Sequence, residues 1–138
     1  MFKKVFKSAK RLEKKNLMEA VVAASVLVAA ADGEIEKEEI KKLDRLLSAN
    51  DLLSAFPKSE ISKTVNRYSN VLEADFALGR VKMLKEIREI ADNQEEAENA
   101  FLTALAVAKA DGEIDEKEKK VIAGLASELG LRIEDYVD

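Results

Sequence analysis

Cysteine and histidine are both missing from this 138-residue chain. Without cysteine there is no disulfide, and no thiolate to attack a substrate or hold a soft metal. Without histidine the commonest general base and the commonest transition-metal ligand are gone, and any Ser-His or Cys-His pair goes with them. Pro57 is the single proline and only five residues are glycine, so little interrupts a helix. Ala, Leu, Lys and Glu dominate what remains, and all four are strong helix formers. No stretch shows the two-residue alternation of a strand. No secretory-type apolar core follows Met1. The most apolar run, Ala20 to Ala31, falls short of the roughly 20 residues that a bilayer crossing needs. The chain therefore reads as all-α and cytoplasmic, with 47% hydrophobic residues, enough for one compact core.

The net charge of −4 conceals a segregation. Residues 1–15 carry Lys3, Lys4, Lys7, Lys10, Arg11, Lys14 and Lys15 against Glu13 alone, a net +6 that leaves −10 on the rest. Within that segment Phe2, Val5, Phe6, Ala9 and Leu12 recur at three- and four-residue steps, which sets an apolar stripe between lysines. Such a helix suits an anionic membrane surface or a partner, with Phe2, Lys3, Lys4, Phe6, Lys7, Lys10 and Arg11 as the contact residues, or it docks on the acidic body. Two parts follow from this: a basic amphipathic segment at 1–15 and a helical domain at 16–138. Nucleic-acid binding is not expected of so acidic a body.

The domain says one thing twice. Ala31-Asp32-Gly33-Glu34-Ile35-Glu36-Lys37-Glu38-Glu39 returns as Ala110-Asp111-Gly112-Glu113-Ile114-Asp115-Glu116-Lys117-Glu118, and the same register sets Val28 on Val107, Leu43 on Ile122 and Leu46 on Leu125. An apolar helical run precedes each Asp-Gly and an amphipathic one follows it. The glycine fits a left-handed residue just past a helix end. Asp115 and Glu118 form a good capping box, whereas Glu36 is a poor N-cap. Each copy is a helix-turn-helix hairpin with an acidic elbow.

Leu17 to Ala31 is apolar all round, the pattern of a central helix covered by several others. Lys37–Ser48 follows the first elbow. Pro57 opens a helix with Ile61, Val65, Tyr68, Val71 and Leu72 inward, and the chain turns near Asp75 into a helix from Phe76 to Ala91. Gly79 lies inside that helix, where a close crossing would explain it. Asp92 or Asn93 caps the next helix, and Gly130 closes the last. The expectation is one bundle of six or seven helices, with the two repeated hairpins related by a pseudo-two-fold axis.

The spacing Asp-Gly-x-Ile-x-x-x-Glu matches the back half of an EF-hand loop. The oxygen ligands required two and four residues upstream are replaced by Ala30 and Val28 in one copy and by Lys109 and Val107 in the other, which excludes that site. Two readings of the elbows stay open. Caps and turn bonds account for the carboxylates structurally. Alternatively, elbows lying side by side would gather Asp32, Glu34, Glu39, Asp111, Glu113 and Glu118 into an all-oxygen site for Ca or Mg, or for a cationic partner. No other cofactor is indicated. With no nucleophile–base pair in the chain, an enzyme is not expected.

The paired elbows, together with Leu17-Met18-Glu19, Glu73-Ala74-Asp75-Phe76-Ala77-Leu78-Gly79 and Ser127-Glu128-Leu129-Gly130-Leu131, resemble the TerB family of bacterial tellurite-resistance proteins. The relatives of that family include the TerB-like domain of a membrane-anchored DnaJ-type co-chaperone. The resemblance spans about residues 16–138. It implies an internally duplicated helical bundle and a non-enzymatic tellurite-resistance and stress-response role. It also implies partners within that system, among them a membrane protein, and an acidic metal or partner surface at Asp32, Glu39, Asp111 and Glu118. The functional expectation is an interaction adaptor, peripheral at the inner face of the membrane. The alternative is a divalent-metal sensor whose bundle responds to Ca or Mg.

Overall fold

The structure is a computed structural model that describes residues 2–110 and 112–137, without the side chains of residues 2–14 and of Leu52. The described residues form six α-helices: α1 Phe2–Ala29, α2 Lys37–Ser48, α3 Lys58–Ala74, α4 Phe76–Arg88, α5 Gln94–Lys109 and α6 Glu116–Glu128. Short 3₁₀ turns, Asp51–Leu53 and Ile133–Asp135, follow α2 and α6, and no strand occurs among the described residues. The basic segment and the apolar run after it form one helix, without a break between them. Phe2, Lys3, Lys4, Phe6, Lys7, Lys10 and Arg11 have side chains outside the described part, as does Asp111 entirely.

The second half of α1 is the post of the bundle, packed by all five other helices and most extensively by α5. Its residues Ala20 to Ala24, Val26, Leu27 and Val28 are buried on every side, as their uninterrupted apolar run requires. Alanines also dominate the buried face of α5, at Ala97, Ala100, Ala104 and Ala108, so both helices offer small side chains and can approach closely. Ser25 lies within this post at no exposure and donates to the Val21 carbonyl at 2.8 Å, which leaves its hydroxyl satisfied.

Around the post, the ends of the helices follow local chemistry. Asp75 is the C-cap of α3 and the N-cap of α4, its Oδ1 accepting the Leu78 amide at 3.0 Å. The resulting α3–α4 corner is so tight that a Cβ on Gly79 would lie 2.9 Å from the Val71 carbonyl oxygen. Asn93, not Asp92, caps α5 by accepting the Glu96 amide at 3.1 Å. Past α6, Gly130 adopts φ +71° while Leu131 donates to Ala126 at 2.8 Å and Gly130 to Ser127 at 3.1 Å. That bond pair is a Schellman motif. It directs the tail back so that Tyr136 meets Phe101 edge to face, with centroids 5.2 Å apart.

Polar ties connect the outer helices. Ser62 of α3 donates to the Asp44 carboxylate of α2 at 2.8 Å, and Arg88 of α4 pairs with Glu128 of α6 at 2.7 Å. Tyr68 of α3 donates to Glu86 of α4, while Arg67 reaches both the Tyr68 hydroxyl at 3.1 Å and Glu19 of α1 at 3.2 Å. Burial first, and then the Glu86 carboxylate, push the Tyr68 phenol well above its ordinary value.

Candidate functional site

Both elbows are built by the same local device. After α1 the chain turns through Gly33, whose φ of +91° is strained for any residue with a Cβ and whose amide donates to Ala30 at 2.9 Å. Gly112 does the same after α5, with φ +109° and a 3.0 Å bond to Lys109. Asp32 Oδ1 accepts the Glu34 amide at 3.1 Å, an Asx turn that accounts for a carboxylate at the unfavourable C-terminal end of a helix. Downstream the two elbows diverge. Asp115 and Glu118 complete a reciprocal capping box, at 2.8 and 3.1 Å, whereas Glu36 makes no side-chain cap bond.

The elbows meet. Asp32 and Glu39 from the first and Glu113, Asp115 and Glu118 from the second line a single open cleft of about 450 Å³. Its apolar base comes from Val28, Leu43, Leu46 and Val107. Leu46 is 38% exposed because it faces this opening, while Leu125, its counterpart in the repeat register, is buried. One cation enters the cleft: Lys42, whose Nζ lies 3.3 Å from the carbonyl oxygen of Ala110. A side chain of α2 is thereby tied directly to the second elbow.

Glu34 is placed elsewhere. It faces a separate groove of about 290 Å³ with Gly33, Ile35, Glu36, Leu72, Glu73 and Phe76, so Asp32 and Glu34, joined by the Asx turn, face different openings. Two cleft residues escaped the sequence reading. Asp115 was legible only as a cap, and Lys42 was passed over although Glu39, Lys42, Leu43 and Leu46 share one helical face by their spacing.

The donor set is all oxygen, the chemistry of a hard cation. Among the described residues, which do not include Asp111, no three carboxylates converge closely enough to hold a metal ion. Three of the five carboxylates already serve the backbone, Asp115 and Glu118 through the capping box and Asp32 through its turn. The volume is large for a bare ion, given about 30 Å³ for a single water, and is ample for a hydrated one or for a cationic side chain.

The family model described as Tellurite resistance protein TerB matches residues 18–138. No curated protein and no solved structure matches the chain. Among the described residues, no helix is long and apolar enough to cross a membrane.

Proposed function

The chain belongs to the TerB tellurite-resistance family, and on that premise we propose that it is a non-enzymatic interaction adaptor whose acidic cleft takes up a cationic side chain of a basic protein partner. Family membership points to a role related to tellurite resistance. The observation that carries the finer reading is the convergence of five carboxylates from two separate elbows on one cleft with an apolar base. Lys42 is an internal precedent, since a primary ammonium already fits beside the Ala110 carbonyl. A lysine or arginine entering from outside would meet the same carboxylates, and its aliphatic stem would cover Leu46 and Val107.

A divalent-ion sensor is the second reading, favoured by the all-oxygen lining. The ion would keep several waters, as magnesium commonly does. Direct detoxification is disfavoured by the lack of any thiol. The basic residues of 1–15 belong to the same proposal as the contact with an anionic membrane surface or acidic partner, which would set the adaptor at the inner face of the membrane.

Calorimetric titration of the full chain with a short lysine- and arginine-rich peptide tests this function, repeated with calcium and with magnesium alone. Saturable peptide binding that falls at least about tenfold in Asp32→Asn/Glu113→Gln supports the adaptor. Metal binding without peptide binding would replace it with the sensor. Heat from neither would remove both.

A further inference from the structure

A second groove, on the other side of the first elbow from the acidic cleft, carries the opposite charge. Arg80 of α4 and Lys117 and Lys120 of α6 rim an opening of about 230 Å³. Leu27, Ala30, Phe76 and Val121 form its floor. The three cations stand out on a body of net charge −10. On the same two helices Lys119 pairs with Glu116 and Arg88 with Glu128, while the side chains of Lys82 and Lys85 pair with no described residue. The side chains of Arg80, Lys117 and Lys120 make no ion pair or hydrogen bond with any described residue. Unpaired positive charge and a partly open apolar floor therefore coincide in one groove. That pairing is characteristic of a contact surface and is not needed for solubility.

We propose that this groove is a docking site for an acidic protein segment that inserts one bulky apolar side chain between Arg80, Lys117 and Lys120. Charge selects the partner's sign, because three uncompensated cations attract carboxylates and repel basic chains. Shape selects a protruding side chain. Leu27 and Ala30 are buried and Phe76 and Val121 half-buried beneath the charged rim, so a flat bilayer surface would meet the cations without reaching the floor. The volume lies below the 300 to 1,000 Å³ or so of small-molecule pockets and suits a single inserted side chain. The inserted group would supply most of the affinity, and the rim the orientation and the association rate. With the acidic cleft on one side of Ala31 and this groove on the other, the chain would engage a basic and an acidic partner at the same time.

The test is an amide NMR titration of the isotope-labelled full chain, at low salt, with a synthetic peptide of one phenylalanine flanked on both sides by aspartate and glutamate. Saturable shifts are expected at residues 27–31, 76–81 and 117–121. Affinity should fall at least about tenfold in Lys117→Gln/Lys120→Gln, and by a similar factor when alanine replaces the peptide's phenylalanine. Arg80→Gln, on the other helix, provides an independent variant with the same expected direction. Absence of saturable shifts would overturn the proposal. So would equal binding of the alanine peptide, which would mean charge alone, or stronger binding of phosphatidylserine vesicles through the same lysines, which would mean a lipid surface. Shifts at 76–81, 120 and 121 report this groove alone, since Val28, Ala29, Ala31 and Glu118 also line the acidic cleft.

Discussion

Gly33 and Gly112 are where single residues decide the site, since the acidic cleft exists only if the chain turns at both elbows. A Cβ at Gly33 or Gly112 would meet nothing within 4 Å, so the cost of Gly33→Ala is conformational and not steric. It is expected at about 1–2 kcal/mol in denaturant unfolding, and Gly112→Ala should match it. Tyr68 gives a residue-scale dependence on pH. Its phenol is raised from 10.0 in the folded state, so the folded protein keeps that proton after the unfolded chain has released it. The stability it contributes is complete below about pH 10 and drains away as pH rises through the higher folded value. Unfolding curves from pH 8 to 11 should show the gap between wild type and Tyr68→Phe narrowing at the alkaline end. A constant gap would mean that burial and Glu86 do not hold the proton.

At the scale of the helix, boundaries were legible where a residue type favours a cap, through a side-chain bond or through a glycine's positive φ. Asp115 with Glu118, Asn93 and Gly130 all cap as their residue types dictate. The weak cap at Glu36 was legible as well, and it makes no side-chain bond. Glu36→Asp should therefore stabilise the protein by about 0.5–1 kcal/mol, measured as a shift of the urea midpoint, while Asp115→Ala should cost about 1 kcal/mol. Gly79 offers the opposite case. Helix propensity alone favours Gly79→Ala, by about 1 kcal/mol, but the new methyl would press on the Val71 backbone at 2.9 Å. Net destabilisation of about 1–3 kcal/mol is expected, and a gain would mean that the α3–α4 corner is looser than its geometry.

Across the whole molecule, the central position of α1 followed from its apolar circumference, and the all-α class from composition. The site was legible only in part. Repetition singled out the elbows, and their meeting joins Asp32 and Glu39 to Glu113 and Glu118. Local sequence cannot say which way a carboxylate points once a turn has closed, so Glu34 left the cleft and Asp115 entered it. The basic groove was not legible at all. Arg80 is about 40 residues from Lys117 and Lys120, and the net charge of the body hides all three.

The central claim is that two elbows distant in sequence form one receptor for a cation. Its most direct test is the amide NMR spectrum of the isotope-labelled chain during titration with a lysine- and arginine-rich peptide, recorded on wild type and on Glu113→Gln alone. One site predicts shifts at both elbows following one binding curve, and a single change in the second elbow should weaken the response around Asp32 and Glu39 by the same factor as around Glu118. Shifts at the first elbow that keep their wild-type affinity in Glu113→Gln would contradict it, leaving two separate acidic turns.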